Sequence, residues 1–268
     1  MQKTILVTGS TDGIGFETAK MLVAKGHHVL VHGRSSSKLE MADKTLAALS
    51  GGGRTKTYIA DLTKFKDVAS LAEEIRKQHT HLDAVINNAG VFKTPHSITE
   101  DGLDARFVVN TFSPYLLTQK LLPLLGPAGR VINVSSAAQA SVNLDALAGQ
   151  KRLDDMEAYA QSKLAIIMWS RAMAEKHPDG PTIIAVNPGS LLASKMVREG
   201  FGISGNDLGI GADILTRAAL SDEFADAGGK YFDNDAGQFA APHADALDAS
   251  QNERVVHAIE RILVQSNI

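Results

Sequence analysis

The chain contains no cysteine. A disulfide framework, a thiolate zinc site, an iron–sulfur cluster and a cysteine nucleophile are thereby excluded, and a cytoplasmic setting is expected. Basic residues are not in excess: 27 Lys and Arg face 30 Asp and Glu, a formal charge of −3. A chain without a positive surplus is poorly suited to neutralise phosphates along a duplex, so no nucleic-acid partner is expected. No run of about 20 apolar residues occurs, so no membrane span is expected. Lys3 to Val7 already reads as a strand, which leaves no room for the charged and apolar regions of a signal peptide. Linkers, repeats and low-complexity tracts are also missing. What remains is 44% apolar and 21% charged over 268 residues, which is globular composition with enough chain for a self-sufficient core.

Short β-branched runs alternate with longer amphipathic stretches. Strands are predicted at Ile5–Thr8, Val29–His32, Thr57–Ala60, Ala84–Asn87, Arg130–Val134 and Thr182–Asn187. Most are nearly continuous apolar runs, as parallel strands covered on both faces require. Between them lie helical stripes such as Leu39, Ala42, Leu46 and Leu49, or Phe65, Val68, Ala72 and Ile75. Ser37–Glu40 and Ser250–Glu253 read as capping boxes. This pattern predicts βαβ units and one doubly wound α/β domain of Rossmann type over residues 1–268. Two segments break the rhythm, at about 137–157 and 190–206, and their positions make them candidate substrate loops.

The first strand runs into a turn, Gly9, Ser10, Thr11, Asp12, Gly13, Ile14 and Gly15, and then a helix. Glycines here permit a tight turn, close backbone approach to a pyrophosphate, and helix packing, while the helix N-terminus offers free N–H groups to phosphate. A dinucleotide site is the reading. The second strand ends in Gly33-Arg34-Ser35-Ser36, where the acid that would bond a ribose 2′-hydroxyl is missing. Arg34 can pair with a 2′-phosphate instead, so NADP(H) is favoured over NAD(H).

Tyr159 and Lys163 stand four apart in a helical stretch and therefore share a face. An ammonium beside a phenol favours phenolate and makes the tyrosine a usable acid or base near neutral pH.

Taken together, these motifs resemble the classical short-chain dehydrogenase/reductase family from Thr4 to about Phe232. The likeness also rests on Asp61-Leu62, Asn87-Asn88-Ala89-Gly90, Asn110, Val134-Ser135-Ser136 and Asn187-Pro188-Gly189. It implies Tyr159 as the acid/base at the substrate oxygen, with Lys163 holding the nicotinamide ribose and lowering the Tyr159 pKa. It implies Ser136, rather than Ser135, as the hydrogen-bond donor to that oxygen, and Asn110 as the anchor of a water in the proton relay. Asp61 and Leu62 would border the adenine. Asn87, Asn88, Ala89 and Gly90 would back the cofactor, with Pro188 and Gly189 following the last central strand. A lengthened Ser136–Tyr159 interval, Ser162–Ala165 and Gly229–Phe232 resemble the retinol-dehydrogenase-like branch. Ala193 stands where the family usually has a threonine facing the nicotinamide carboxamide, and either Ser194 or the backbone is the expected substitute.

The function implied is oxidoreduction of a small carbonyl or alcohol compound, with a non-catalytic dinucleotide-binding redox sensor as the alternative. An extended-type epimerase is disfavoured by the glycine spacing and the short C-terminal region. Met196, Val197 and Phe201 suggest an apolar substrate, since Lys195 and Arg198 stand beside Glu199. No metal site is expected: Asp233–Gly237 departs from a calcium loop in its glycine position and lacks the closing glutamate. His27, His28, His79 and His81 are expected at the surface, Met168 and Trp169 in the core or a subunit contact. Subunit number is left open, with a homo-oligomer among the options.

Overall fold

A computed structural model of the protein describes residues 1–193, 205–266 and 268. Its sheet comprises β1 (Thr4–Val7), β2 (His28–Gly33), β3 (Arg54–Ile59), β4 (Leu82–Asn87), β5 (Leu125–Val134), β6 (Thr182–Asn187), β7 (Tyr231–Asp233) and β8 (Gln238–Ala240). The spatial order is β3-β2-β1-β4-β5-β6-β7-β8. All neighbours run parallel except β7 and β8. The fold is therefore a doubly wound Rossmann-type α/β sheet, with one antiparallel strand added at its edge.

Side-chain alternation along the central strands builds two cores. Ile5, Val7, Val29, Val31 and Ile86 pack against α1 (Gly13–Ala24) and α2 (Ser36–Ala47), together with a later helix, here α8 (Leu208–Leu220). Leu6, Leu30, Val85 and Val131 point the other way, against α3 (Phe65–Gln78), α5 (Ser113–Leu121), α7 (Asp155–Lys176) and the last helix, α9 (Ala249–Gln265). A short α4 (Ala105–Phe107) leads into α5 through a widened π turn, Val108–Phe112. A four-residue α6 (Leu144–Leu147) lies between β5 and α7. Trp169 is fully buried, edge-on to Tyr115 with ring centroids 5.5 Å apart. The Tyr115 hydroxyl donates to Glu260 at 2.6 Å, tying α5 to α9.

Several expectations shift. β3 starts at Arg54, earlier than predicted, because it pairs only with β2 and alternates exposed Arg54 and Lys56 with half-buried threonines. β7 and β8 are three residues each, too short for an apolar run to mark them. Neither predicted capping box caps its helix. Ser35 caps α2 by accepting from Lys38 N at 3.5 Å, and Asp248 caps α9 by accepting from Ser250 N at 2.8 Å. In both cases the chain leaves the extended region two residues early, and the side chain there takes the free N–H. His28 is buried rather than exposed, near His79.

One buried histidine joins sheet and turn. His32 pairs with the turn through its backbone: Ser10 N donates to His32 O at 2.9 Å, and His32 N donates to Ser10 Oγ at 3.0 Å. Its Nδ1 accepts from Gly9 N at 3.1 Å, which places the ring proton on Nε2, 3.2 Å from the Ala60 carbonyl. Burial pushes its pKa down to about 4, against the opposing Ala60 bond and Asp61 charge. The histidine is thus neutral when folded and takes up a proton on unfolding below its ordinary pKa. Its contribution is present above about pH 6.5 and is lost as pH falls toward 4, about 2 kcal/mol of it by pH 5. Urea unfolding at pH 7 and pH 5 checks this: wild type should lose about 2 kcal/mol more stability than His32→Gln between the two. Equal losses would show that His32 does not titrate this way.

Candidate active site

A cavity of about 700 Å³ opens at the carboxyl ends of the strands. It spans the gap between β1 and β4, where successive crossovers turn in opposite directions. At its β2–β3 end stand Arg34, Asp61 and Leu62; at its β5–β6 end stand Ser136, Tyr159, Lys163, Pro188 and Gly189. The glycine turn and Asn88, Ala89 and Gly90 form the floor between them.

The turn is built for close approach. Gly9 has φ +64°, and a Cβ there would stand 2.9 Å from Ala89 Cα. At Gly15 a Cβ would stand 2.3 Å from Asn88 Nδ2, so glycine lets α1 settle against the loop after β4. Asn88 Nδ2 donates to the Thr8 and Gly9 carbonyls at 2.9 and 3.2 Å, and Thr8 Oγ1 accepts from Asn88 N and Ala89 N at 3.0 Å. Thr11, Asp12, Gly13 and Ile14 line the cavity at the start of α1, whose cap is Asp12, accepting from Gly13 N at 2.8 Å.

Not every residue of these motifs reaches the cavity. Ser10 is fully buried, its hydroxyl donating to Val7 O at 2.8 Å. Asn87 turns into the core, donating to Thr118 Oγ1 at 3.0 Å and Asn133 Oδ1 at 2.8 Å. Because a strand alternates faces, Asn87 cannot point the same way as Asn88. Asp61 lines the cavity, but its carboxylate accepts from Thr63 N and Oγ1, shaping the turn after β3. Arg34 lines the cavity at the end of β2, and nearby Lys38 pairs with Asp12 at 3.7 Å. Ser194 lies outside the described residues, as do Met196, Val197 and Phe201.

At the other end, Ser135 and Ser136 divide their tasks. Ser135 Oγ donates to the Lys163 carbonyl at 2.7 Å and is buried, so it anchors α7. Ser136 opens to the cavity and hydrogen-bonds the Tyr159 phenol, while accepting from Ala138 N at 3.1 Å. Lys163 is buried, and its Nζ donates to the Val134 carbonyl at 2.8 Å and lies 5.7 Å from the centre of the Tyr159 ring. Desolvation lowers its pKa to about 8. The expected lowering of Tyr159 is reversed in this state of the chain. Burial pushes the phenol up, opposed only by the Ser136 bond, because the ammonium turns to Val134 rather than to the phenol oxygen.

Asn110 sits behind this cluster on the π turn. Its Nδ2 donates to Val91 O at 2.9 Å and Ser162 Oγ at 3.0 Å, and its Oδ1 accepts from Val91 N at 2.8 Å. Both amide protons are spent, so the side chain braces the loop after β4 against α7, while its Oδ1 keeps a second lone pair. Of the loop 137–157, Ala137, Ala138 and Met156 line the cavity, whereas Ala146 and Leu147 of α6 enter the core. Some lining residues went unread in the sequence. His32 carries no motif, and Phe92 sits edge-on to Tyr159 at 5.2 Å. Met156, inside the expected loop 137–157, lies three residues before Tyr159 on the same helix face.

Comparison with known proteins agrees with this geometry. The family model described as short chain dehydrogenase matches residues 3–201. Retinol dehydrogenase 13 of Homo sapiens is 33% identical over 263 residues, covering 91% of this chain and 80% of that protein. A crystal structure of an uncharacterised protein from Mycobacterium Paratuberculosis matches with a TM-score of 0.80 at 26% identity, over 97% of this chain and 93% of that one. A short chain dehydrogenase from Escherichia coli, complexed with NADPH, matches with a TM-score of 0.70 at 26% identity, over 87% of this chain and 96% of that one. The chain belongs to the short-chain dehydrogenase/reductase family, in its retinol-dehydrogenase-like branch.

Proposed function

We propose that the protein is an NADP(H)-dependent oxidoreductase that interconverts a carbonyl and an alcohol on a small, neutral, largely apolar compound. The observation that carries this reading is the convergence of Ser136, Tyr159 and Lys163 at one end of a cavity whose other end holds Arg34 and no acid after β2. The cavity fits the cofactor: glycine-lined where a pyrophosphate would cross, open to the N-terminus of α1, and cationic where a 2′-phosphate would lie. Gly9, Thr11, Gly13, Ile14 and Asn88 to Gly90 would hold its backbone, Asp61 and Leu62 its adenine, Arg34 its 2′-phosphate, and Lys163 with Pro188 and Gly189 its nicotinamide half. Structural neighbours solved as NADP or NADPH complexes support the same choice for this chain.

When bound, NADPH supplies a hydride. The protein supplies the matching proton and the site for developing charge. Tyr159, held protonated by burial, is the acid at the carbonyl oxygen, and Ser136 donates a second hydrogen bond to that oxygen. Lys163 provides a buried positive charge behind the phenol. Phe92, Met156, Leu191 and Leu192 line this end, and Lys163 is the charged side chain among its described lining residues. That wall favours apolar substrates over anionic ones. A pure redox sensor needs none of the Ser136–Tyr159–Lys163 set, and is not favoured. The α7 residues from Ala160 to Ser170 are buried, and α9 packs against α7, so pairing of two copies through α7 is not part of this reading.

Tyr159→Phe keeps the ring and removes the transferable proton. Steady-state kinetics with NADPH and an apolar ketone should show turnover lower by at least about 10²-fold with NADPH binding retained; near-normal turnover would remove Tyr159 from this role. Arg34→Ala should weaken NADPH binding by about 10–150-fold, a charge-assisted contact of about 1.5–3 kcal/mol, and leave NADH unchanged. Titration with both nucleotides decides, since equal loss for the two would make Arg34 structural.

A further inference from the structure

The acidic turn between β7 and β8 reaches back to the wall of the cavity. Asp235 accepts from Ser190 N at 2.8 Å, from Ser190 Oγ at 2.5 Å and from Asn187 Nδ2 at 2.9 Å. Asp233 accepts from the same Asn187 amide at 2.9 Å, and Asn234 Nδ2 donates to Pro188 O at 2.9 Å. The turn is itself anchored. Phe232 is buried, and its ring meets those of Phe224 and Phe239 with centroids 5.1 and 5.2 Å away. Burial pushes the Asp235 carboxyl up, but the bonds from Ser190 and Asn187 outweigh it and hold it below the usual carboxylate range. The carboxylate is therefore charged and its bonds are charge-assisted.

What these bonds hold is the stretch Asn187–Leu192, which lines the cavity at the Tyr159 end. Directly after Ser190, Leu191 has φ +54°, a left-handed conformation that a branched side chain adopts only when its surroundings impose it. Ser190 is fixed by Asp235 on one side. On the other, Asn206 N donates to Leu191 O and Ala193 N donates to Asn206 O, both at 2.7 Å. Strain at Leu191 is thus clamped from both ends; on the Ser190 side the exposed Asp235 carboxylate holds the N–H and hydroxyl, and Asn206 Nδ2 donates to the carbonyl at 3.2 Å.

We propose that Asp235 is a positioning residue that latches the Asn187–Leu192 wall in place for the nicotinamide half of the dinucleotide. This rests on the cofactor reading above. Asp235 touches neither the β2–β3 end of the cavity nor the glycine turn, so the latch should act on one half of the ligand alone. The part of the chain that meets adenine, 2′-phosphate and pyrophosphate keeps its own braces in Asn88, His32 and Asp61.

The test pairs two ligands with one cofactor-free readout on wild type, Asp235→Ala and Asp235→Asn. The ligands are NADPH and adenosine 2′,5′-bisphosphate, which lacks the nicotinamide half. The readout is amide hydrogen exchange at Ser190 in the free protein. Asp235→Ala should bind NADPH at least about tenfold more weakly, the scale of a lost charge-assisted bond. It should bind the bisphosphate within about twofold of wild type and exchange the Ser190 amide much faster. Asp235→Asn, which keeps an acceptor for Ser190 N, should fall between. Unchanged exchange at Ser190 overturns the latch, and so does a parallel loss of both ligands. If wild type binds neither ligand, the cofactor reading itself fails and takes the proposed purpose of the latch with it, while Ser190 exchange still reports whether the latch exists.

Discussion

An ammonium buried at the end of a β-strand dictates much of this architecture. Lys163 is 3% exposed and donates to the Val134 carbonyl at 2.8 Å. Removing a charged amine from water is costly unless it is hydrogen-bonded or partnered. The helix that carries it is correspondingly constrained. Leu164, Ile167 and Trp169 fill the core beside it, Ser135 bonds the Lys163 carbonyl, and α5 and α9 cover the remaining faces. With α7 fixed, Tyr159 one turn earlier has no freedom to leave Ser136. The arrangement leaves a positive charge beside a phenol in a cavity, which is a suitable environment for a ligand with hydroxyls and for a carbonyl oxygen that gains charge.

The cavity walls are loops, and loops need bracing from outside themselves. The same solution recurs: a polar side chain from a neighbouring element bonds the backbone of the loop. Asn88 holds the glycine turn, His32 holds Gly9 and the segment after β3, and Asn110 holds Val91. Arg106 is a deeper instance. It is buried, bonds Asp104 through Nε at 2.8 Å and pairs with Asp155, the first residue of α7. The start of α7 is therefore pinned to the segment that leads into the Asn110 turn. These braces explain how strand-end loops can present a fixed site without secondary structure of their own.

Much of this was legible in sequence because it follows from periodicity and spacing. Near-continuous apolar runs separated by helical stripes specify a parallel sheet. Four-residue spacing puts Tyr159 and Lys163 on one face, and the glycine turn after the first strand marks the crossing point. The unread parts depend on contacts between segments far apart in the chain. Asn87 and Asn88 are adjacent in one motif, yet only the strand's alternation decides which faces the core. Asp233–Gly237 carries no calcium-loop pattern, and its tie to Asn187 and Ser190 spans more than forty residues and leaves no local signal. The direction of the Tyr159 shift also eluded the sequence, since it turns on whether burial or a neighbouring charge prevails.

Hydride transfer is the claim on which the account stands. Reacting the enzyme with NADPH carrying deuterium at the nicotinamide C4, with an apolar ketone as acceptor, and locating the label by mass spectrometry and NMR tests it directly. The account predicts one deuterium on the carbinol carbon of the product, delivered from a single face of the nicotinamide, and a hydroxyl proton drawn from solvent. NADPH that binds in the cavity but yields no labelled alcohol across a panel of neutral carbonyl compounds would contradict it.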